Sequence, residues 1–256
     1  MKTSPRQRIL LGAFLGVVII AVRAPLILSA EDRPREIPKD GTCVRYFVET
    51  ENLTTGEKRG AFTTTLAFVG TTVEEGQTCR WLERTTVIPE GIEGSGTYVV
   101  KVLVPEKDLW ESKAPFEHVR RAWMLRPNEL VVKMAARSLV ADINGIFLEL
   151  MLWTPGMLKD SGPASNESKD IEYQPGRLRA AEARTGKRAD ERPGPGKDEK
   201  SYVAWQHPNL PIGAAEVRII RETTFNLEKT PQLRISVTYR VQDVGTSAES
   251  TLPDNN

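Results

Sequence analysis

Three runs near the start of the chain, Thr42–Thr50, Gly60–Gly70 and Gln77–Ile88, alternate apolar and polar residues. Val44, Tyr46 and Val48 stand against Arg45 and Glu49; Phe62, Leu66 and Phe68 stand against Thr63, Thr65 and Ala67. Successive side chains of a strand point to opposite faces, so a period of two demands a sheet with one buried face. The connections Glu51–Arg59 and Thr71–Gly76 carry Gly56 and Gly76, where a hairpin calls for a residue tolerant of positive φ.

A fourth strand is expected over Thr97–Val104. Tyr98, Val100, Val102 and Val104 line one face and Val99 and Leu103 the other, so it should be covered twice. After Pro105 the period changes. Lys107–Trp110 and Pro115–Leu125 read as short helices, the second because Phe116, Val119, Trp123 and Met124 recur at three-to-four spacing behind Pro115. Asn128–Met134 fits either type. Leu139–Trp153, with Ile143, Ile146, Phe147, Leu150 and Met151 on one stripe, reads as a helix ended by Pro155-Gly156.

Asp160–Lys200 is crowded with charged, Pro, Gly and Ser residues, and its apolar residues are few. Such a composition predicts a solvated, disordered loop, because ordering costs about 1–2 kcal/mol per residue and little surface is buried in return. Alternation then resumes in Tyr202–His207, Ala215–Leu227 and Leu233–Val244. Two or three strands are too few to stand alone, so they should complete the sheet begun at Thr42. The expected fold is α+β, mainly β: a curved antiparallel sheet, an open half-barrel, with a short helical insert and a disordered loop. It forms a single domain over 41–250, interrupted at 160–200, after a leader at 31–40 and before a tail at 251–256.

The N-terminus has its own signature. Lys2, Arg6 and Arg8 precede the apolar or small run Ile9–Val22, and Ala24–Ala30 follows Arg23. This pattern predicts a secretory signal peptide over residues 1–30, and so a periplasmic or secreted protein. The competing reading is an uncleaved membrane anchor. At about 1.5 Å per residue the run Ile9–Val22 reaches about 21 Å, short of the roughly 30 Å hydrocarbon core. Membrane contact is expected only through this segment. The formal net charge of +1 argues against a nucleic-acid partner, which calls for Lys and Arg gathered on one face.

Cys43 and Cys79 are the only cysteines. An oxidising compartment favours a disulfide between them. They open the first and third runs, however, and with a strand between they would lie roughly 9–10 Å apart, beyond the ~7 Å reach of a disulfide. A bond requires the second strand to start late or the strand order to differ; otherwise both are small buried thiols.

Chemistry is sparse. His118 and His207 are the only histidines and fit no metal-ligand spacing, and Gly94-Ser95-Gly96 lacks the full nucleophile-elbow pattern. His118 sits on a charged face, and His207 precedes Pro208 and starts a turn. Glu49, Glu83 and Glu222 lie on polar strand faces, where Arg45, Arg84 or Arg218 can pair with them. No catalytic residue, cofactor or metal is therefore expected. The tryptophans Trp81, Trp110, Trp123 and Trp153 are the candidate ligand-binding set if helices close over the sheet. The bland alternative makes them core.

Three strings resemble a known group. Gly41-Thr42-Cys43-Val44-Arg45-Tyr46, Asn209-Leu210-Pro211-Ile212-Gly213 and Val244-Gly245-Thr246-Ser247-Ala248 resemble segments of exported bacterial β-sheet proteins related to the LolA/LolB-type lipoprotein carriers. Cys43 replaces an aromatic residue there, and the 160–200 insert is a departure. The resemblance implies a half-barrel with an apolar cavity for a lipid or lipoprotein, and no catalytic residues. Two expectations follow: a non-enzymatic envelope protein holding a lipid or other apolar group, or a structural or protein-interaction module without a small ligand.

Overall fold

The computed structural model describes residues 37–112, 114–134, 164–174, 176–191, 196–225 and 230–252. They belong to one compact unit, Arg35–Asn256. The chain is mainly β. Its strands are β1 Cys43–Asn52, β2 Glu57–Glu74, β3 Gln77–Ile88, β4 Gly96–Pro105, β5 Arg121–Leu125, β6 Val132–Lys133, β7 Ala164–Tyr173, β8 Gly176–Glu191, β9 Gly196–Gln206, β10 Glu216–Phe225 and β11 Leu233–Gly245. One helix, α1 Glu106–Glu111, and a 3₁₀ turn, Pro115–His118, follow β4.

The eleven strands among the described residues join one sheet in the order β6-β5-β4-β3-β2-β1-β11-β10-β9-β8-β7. Every strand-to-strand ladder is antiparallel. Among the described strands, the only neighbours not consecutive in sequence are β1 and β11, so the late strands complete the sheet beside the first one, as the alternation implied. At the far end, Gln174 bridges Asp243 of β11 in parallel, and its N–H donates to the Gln242 carbonyl at 2.9 Å. Lys169 of β7 also reaches Glu216 of β10 at 2.5 Å.

The register sets two faces. Leu66, Arg84, Val100 and Met124 fall in one row across β2 to β5, and Phe68, Leu82, Val102 and Ala122 in the next. This inner face joins Val44, Tyr46 and Val48 in the main core. It is covered by Leu109 of α1, by Phe116 and Val119, and by Leu210, Ile212 and Ala214 of the β9–β10 connection. The outer face holds a second cluster of Cys79, Trp81, Val99, Leu103, Trp123 and Leu252.

Two expectations need correction. The segment read as a disordered loop, 160–200, contributes β7, β8 and the first part of β9, paired residue by residue from Glu182–Gln206 to Glu191–Lys197. Many of its buried positions are small, Ala181 and Ala183 on β8 and Ala204 just beyond it on β9, with Ile171 and Leu178 the larger ones, so the buried set escapes an apolar count. Its backbone groups are satisfied by the ladder that β9 and β10 template. The helix expected over Pro115–Leu125 ends as a 3₁₀ turn at His118, and Arg121–Leu125 pairs with β4 instead. Ala122 packs into the inner core and Trp123 into the outer one, so burial of both faces erases the period of two. The last residues before β1 are held by Arg80, which pairs with Asp40 at 3.0 Å and Glu106 at 3.4 Å, donates to the Pro38 carbonyl, and lies 5.1 Å from the Phe68 ring centre. The helix expected over Leu139–Trp153 lies outside the described residues.

Tyr46 is fully buried, and its hydroxyl meets no partner at hydrogen-bond geometry although the Ala214 backbone lies beside it. Burial pushes this phenol far above its ordinary pKa. Tyr46→Phe should therefore leave stability unchanged or slightly raised, whereas Leu82→Ala in the same core should cost about 2–5 kcal/mol. Urea unfolding of the two variants checks both signs; a clear loss for Tyr46→Phe would reveal a hydrogen bond to the Ala214 backbone.

Candidate functional site

The candidate tryptophans do not converge. Trp81 and Trp123 face each other across the outer cluster, ring centres 5.0 Å apart, and are 3% and 2% exposed. Trp110 packs against the inner core instead, and Trp153 lies outside the described residues. Trp81 and Trp123 are core because β3 and β5 present them to the face that Leu252 covers. They offer a ligand no surface.

The cysteines do not meet either. Both are free: Cys43 pairs in register with Ala67 and Cys79 with Thr72 on the intervening β2. That offset of five positions along β2, from 67 to 72, is about 16 Å at roughly 3.3 Å per residue. The long β2 carries its partners past one another, which the alternation alone did not reveal. Burial raises both thiol pKa values, and at Cys79 the nearby Glu74 carboxylate adds to the effect.

The remaining candidates are structural. His207 Nδ1 accepts from the Asn209 N–H at 3.1 Å, which forms the expected turn, and burial lowers its pKa. His118 lies 3.9 Å from Asp108 on a half-exposed face. Glu222 pairs with Arg234 at 2.7 Å. Glu83, expected on a solvated face, is instead 3% exposed. Ser95 lies in a turn, its N–H donating to the Ile92 carbonyl at 3.0 Å. Among the described residues, no group of three His, Cys, Asp or Glu side chains could hold a metal ion. No described helix is long and apolar enough to cross a membrane.

What residue types alone did not disclose is an open groove of about 430 Å³ on the inner face, between β3, β4 and β5. Its lining is Arg84, Thr86, Ile88, Tyr98, Val100, Met124 and Arg126. The register explains the convergence: Arg84, Val100 and Met124 share one row, and Thr86 and Tyr98 the next. Arg84 is 8% exposed, and its Nε donates to Thr64 Oγ1 at 3.1 Å; Thr64 in turn shares a hydrogen bond with Thr86 at 3.0 Å. This chain of contacts holds the guanidinium at the groove floor. Arg126 stands at the rim, more than half exposed and 3.9 Å from Glu129, a surface pairing that contributes little. The groove thus combines an apolar bed of Ile88, Val100 and Met124 with one seated and one solvent-exposed cation. Such a set can hold an alkyl or ring system by burial and an acidic group by charge-assisted hydrogen bonds. In the sequence its one signal is Arg84, two positions from Leu82 and so on the same strand face.

No protein-family model matches the chain, and no curated protein sequence matches it.

Protein purified without reductant and alkylated with iodoacetamide in denaturant should gain two adducts by mass. An unmodified mass would mean a disulfide. In the native state, alkylation at neutral pH should be slow, since burial keeps both thiols protonated.

Proposed function

We propose that this protein is a non-enzymatic carrier or sensor of a small anionic amphiphile, held in the groove lined by Arg84, Tyr98, Met124 and Arg126. The observation that carries the reading is a buried guanidinium set beside apolar side chains in an open groove on the sheet's inner face. A volume of about 430 Å³ suits one acyl chain or a compact ring system, within the roughly 300–1,000 Å³ of small-ligand sites. The finer architecture belongs to the same proposal: the sheet curves as an open half-barrel. The Gln174–Asp243 bridge and the Lys169–Glu216 contact support that curvature, because both bring β7 back toward β10 and β11. Most of the inner face is filled by the protein's own side chains. This favours a ligand lying at one end of the sheet over one enclosed within it. An exported location, from the basic and apolar N-terminal segment, and the resemblance to lipoprotein carriers fit such a role.

Binding is measured by the fluorescence of a dansyl-labelled fatty acid. The expected result is saturable binding that Arg126→Glu weakens roughly tenfold, equivalent to about 1.4 kcal/mol. Met124→Asp should weaken it further, and a long-chain alkylammonium should fail to compete. Equal affinity for the anionic and cationic probes, or binding untouched by both substitutions, would refute the reading.

A further inference from the structure

The outer face of β3 and β4 contains two buried charges that the groove does not use. Glu83 is 3% exposed and Lys101 0% exposed, and they are direct register partners. The segment Thr246–Leu252 crosses them after β11. Ser250 Oγ donates to Glu83 Oε2 at 2.8 Å, and Thr251 donates to Glu83 Oε1 through its N–H at 3.1 Å and its hydroxyl at 2.8 Å. Lys101 Nζ donates to the Leu252 carbonyl at 2.9 Å while lying 4.9 Å from the Trp81 ring centre. The Leu252 side chain is buried against Cys79, Trp81, Val99, Leu103 and Trp123. Nearer β11, the Ala248 N–H donates to the Gly41 carbonyl at 2.9 Å.

These contacts describe a seat for an extended peptide. A carboxylate reads a pair of hydroxyl residues, an ammonium reads a carbonyl, and an apolar socket takes the aliphatic side chain that follows. The occupant lies outside every strand and helix, so it can leave without breaking a ladder. The same face also exposes Phe47 at 37% and Val87 at 43%, in one row with Thr63 between them. A second copy laid against this face would cover both. The sequence that fits the seat is Thr246–Leu252 itself, and exchange of an identical element is a low-cost route to a dimer.

We infer that Thr246–Leu252 is an exchangeable strap, and that its seat over Glu83 and Lys101 also accepts the same segment of a second copy, joining two chains across their outer faces. Two full-length variants test this. Glu83→Arg spoils the seat and leaves the strap intact; Ser250→Ala/Thr251→Ala/Leu252→Asp spoils the strap and leaves the seat. Each alone should remain monomeric by light scattering after gel filtration, and an equal mixture should give a one-to-one complex of twice the protomer mass. A mixture that stays monomeric, or a complex formed as readily by either variant alone, overturns the inference. If either variant does not fold, hydrogen exchange on the unaltered chain decides. The Ala248 and Thr251 amides should exchange at least roughly tenfold faster than the core amides of Phe68 and Val102, through local opening. Exchange of all four at one common rate would make the strap a fixed part of the core and overturn the inference.

Discussion

The pairing of the first strand with the last holds the sheet together. Cys43 to Asn52 run antiparallel to Gly245 through Ile235, with one irregularity between Arg45 and Tyr46. Without that ladder β1 would be an edge, and β7–β11 would be a separate ribbon with β11 as its own edge. The ladder also sets the parity of the sheet, because Tyr46 opposite Val241 and Val48 opposite Tyr239 put all four into one core. Its end is tightly fitted. A Cβ at Gly245 would come within 2.9 Å of Cys43 Sγ, and one at Gly41, whose φ is +87°, within 2.5 Å of the Thr246 carbonyl oxygen. Contacts between positions so distant in sequence are slow to form, so this pairing should be a late step in folding.

The two faces made by that register have different chemistry. The inner face closes over most of its length with α1, the 3₁₀ turn and the β9–β10 connection, and opens where β3, β4 and β5 run beyond that cover. The outer face shows Phe47 and Val87 to solvent, and under the strap it sets the pair Glu83 and Lys101 beside an apolar cluster. Both faces carry buried charge, and in each case named partners accept it: Thr64 for Arg84, the strap for Glu83 and Lys101. A buried charge is tolerated only with such partners. Arg84 on the floor of an open groove therefore has a different meaning from Lys101 beneath a closed strap.

The strands with one buried face were legible because Val44, Tyr46 and Val48, or Leu66 and Phe68, repeat with a period of two. Gln77–Ile88 was bounded correctly on that signal alone. Trp123 was misread because its strand is buried on both faces, which leaves only a spacing that imitates a helix. The 160–200 segment reads as a loop because buried positions such as Ala181 and Ala183 are too small to register, while its stabilising contacts, such as Lys169 with Glu216, reach strands far away in sequence. The groove was largely illegible for a related reason. Arg84, Tyr98 and Met124 lie on three strands, and only the register brings them side by side.

The central claim is that the inner-face groove takes an anionic amphiphile, and a methyl NMR titration of the folded protein with dodecanoate tests it most directly. The account predicts saturable shifts at the methyl groups of Met124, Ile88 and Val100, with the indole signals of Trp81 and Trp123 unmoved. Unshifted groove methyls, or shifts centred on the two indoles, would contradict it.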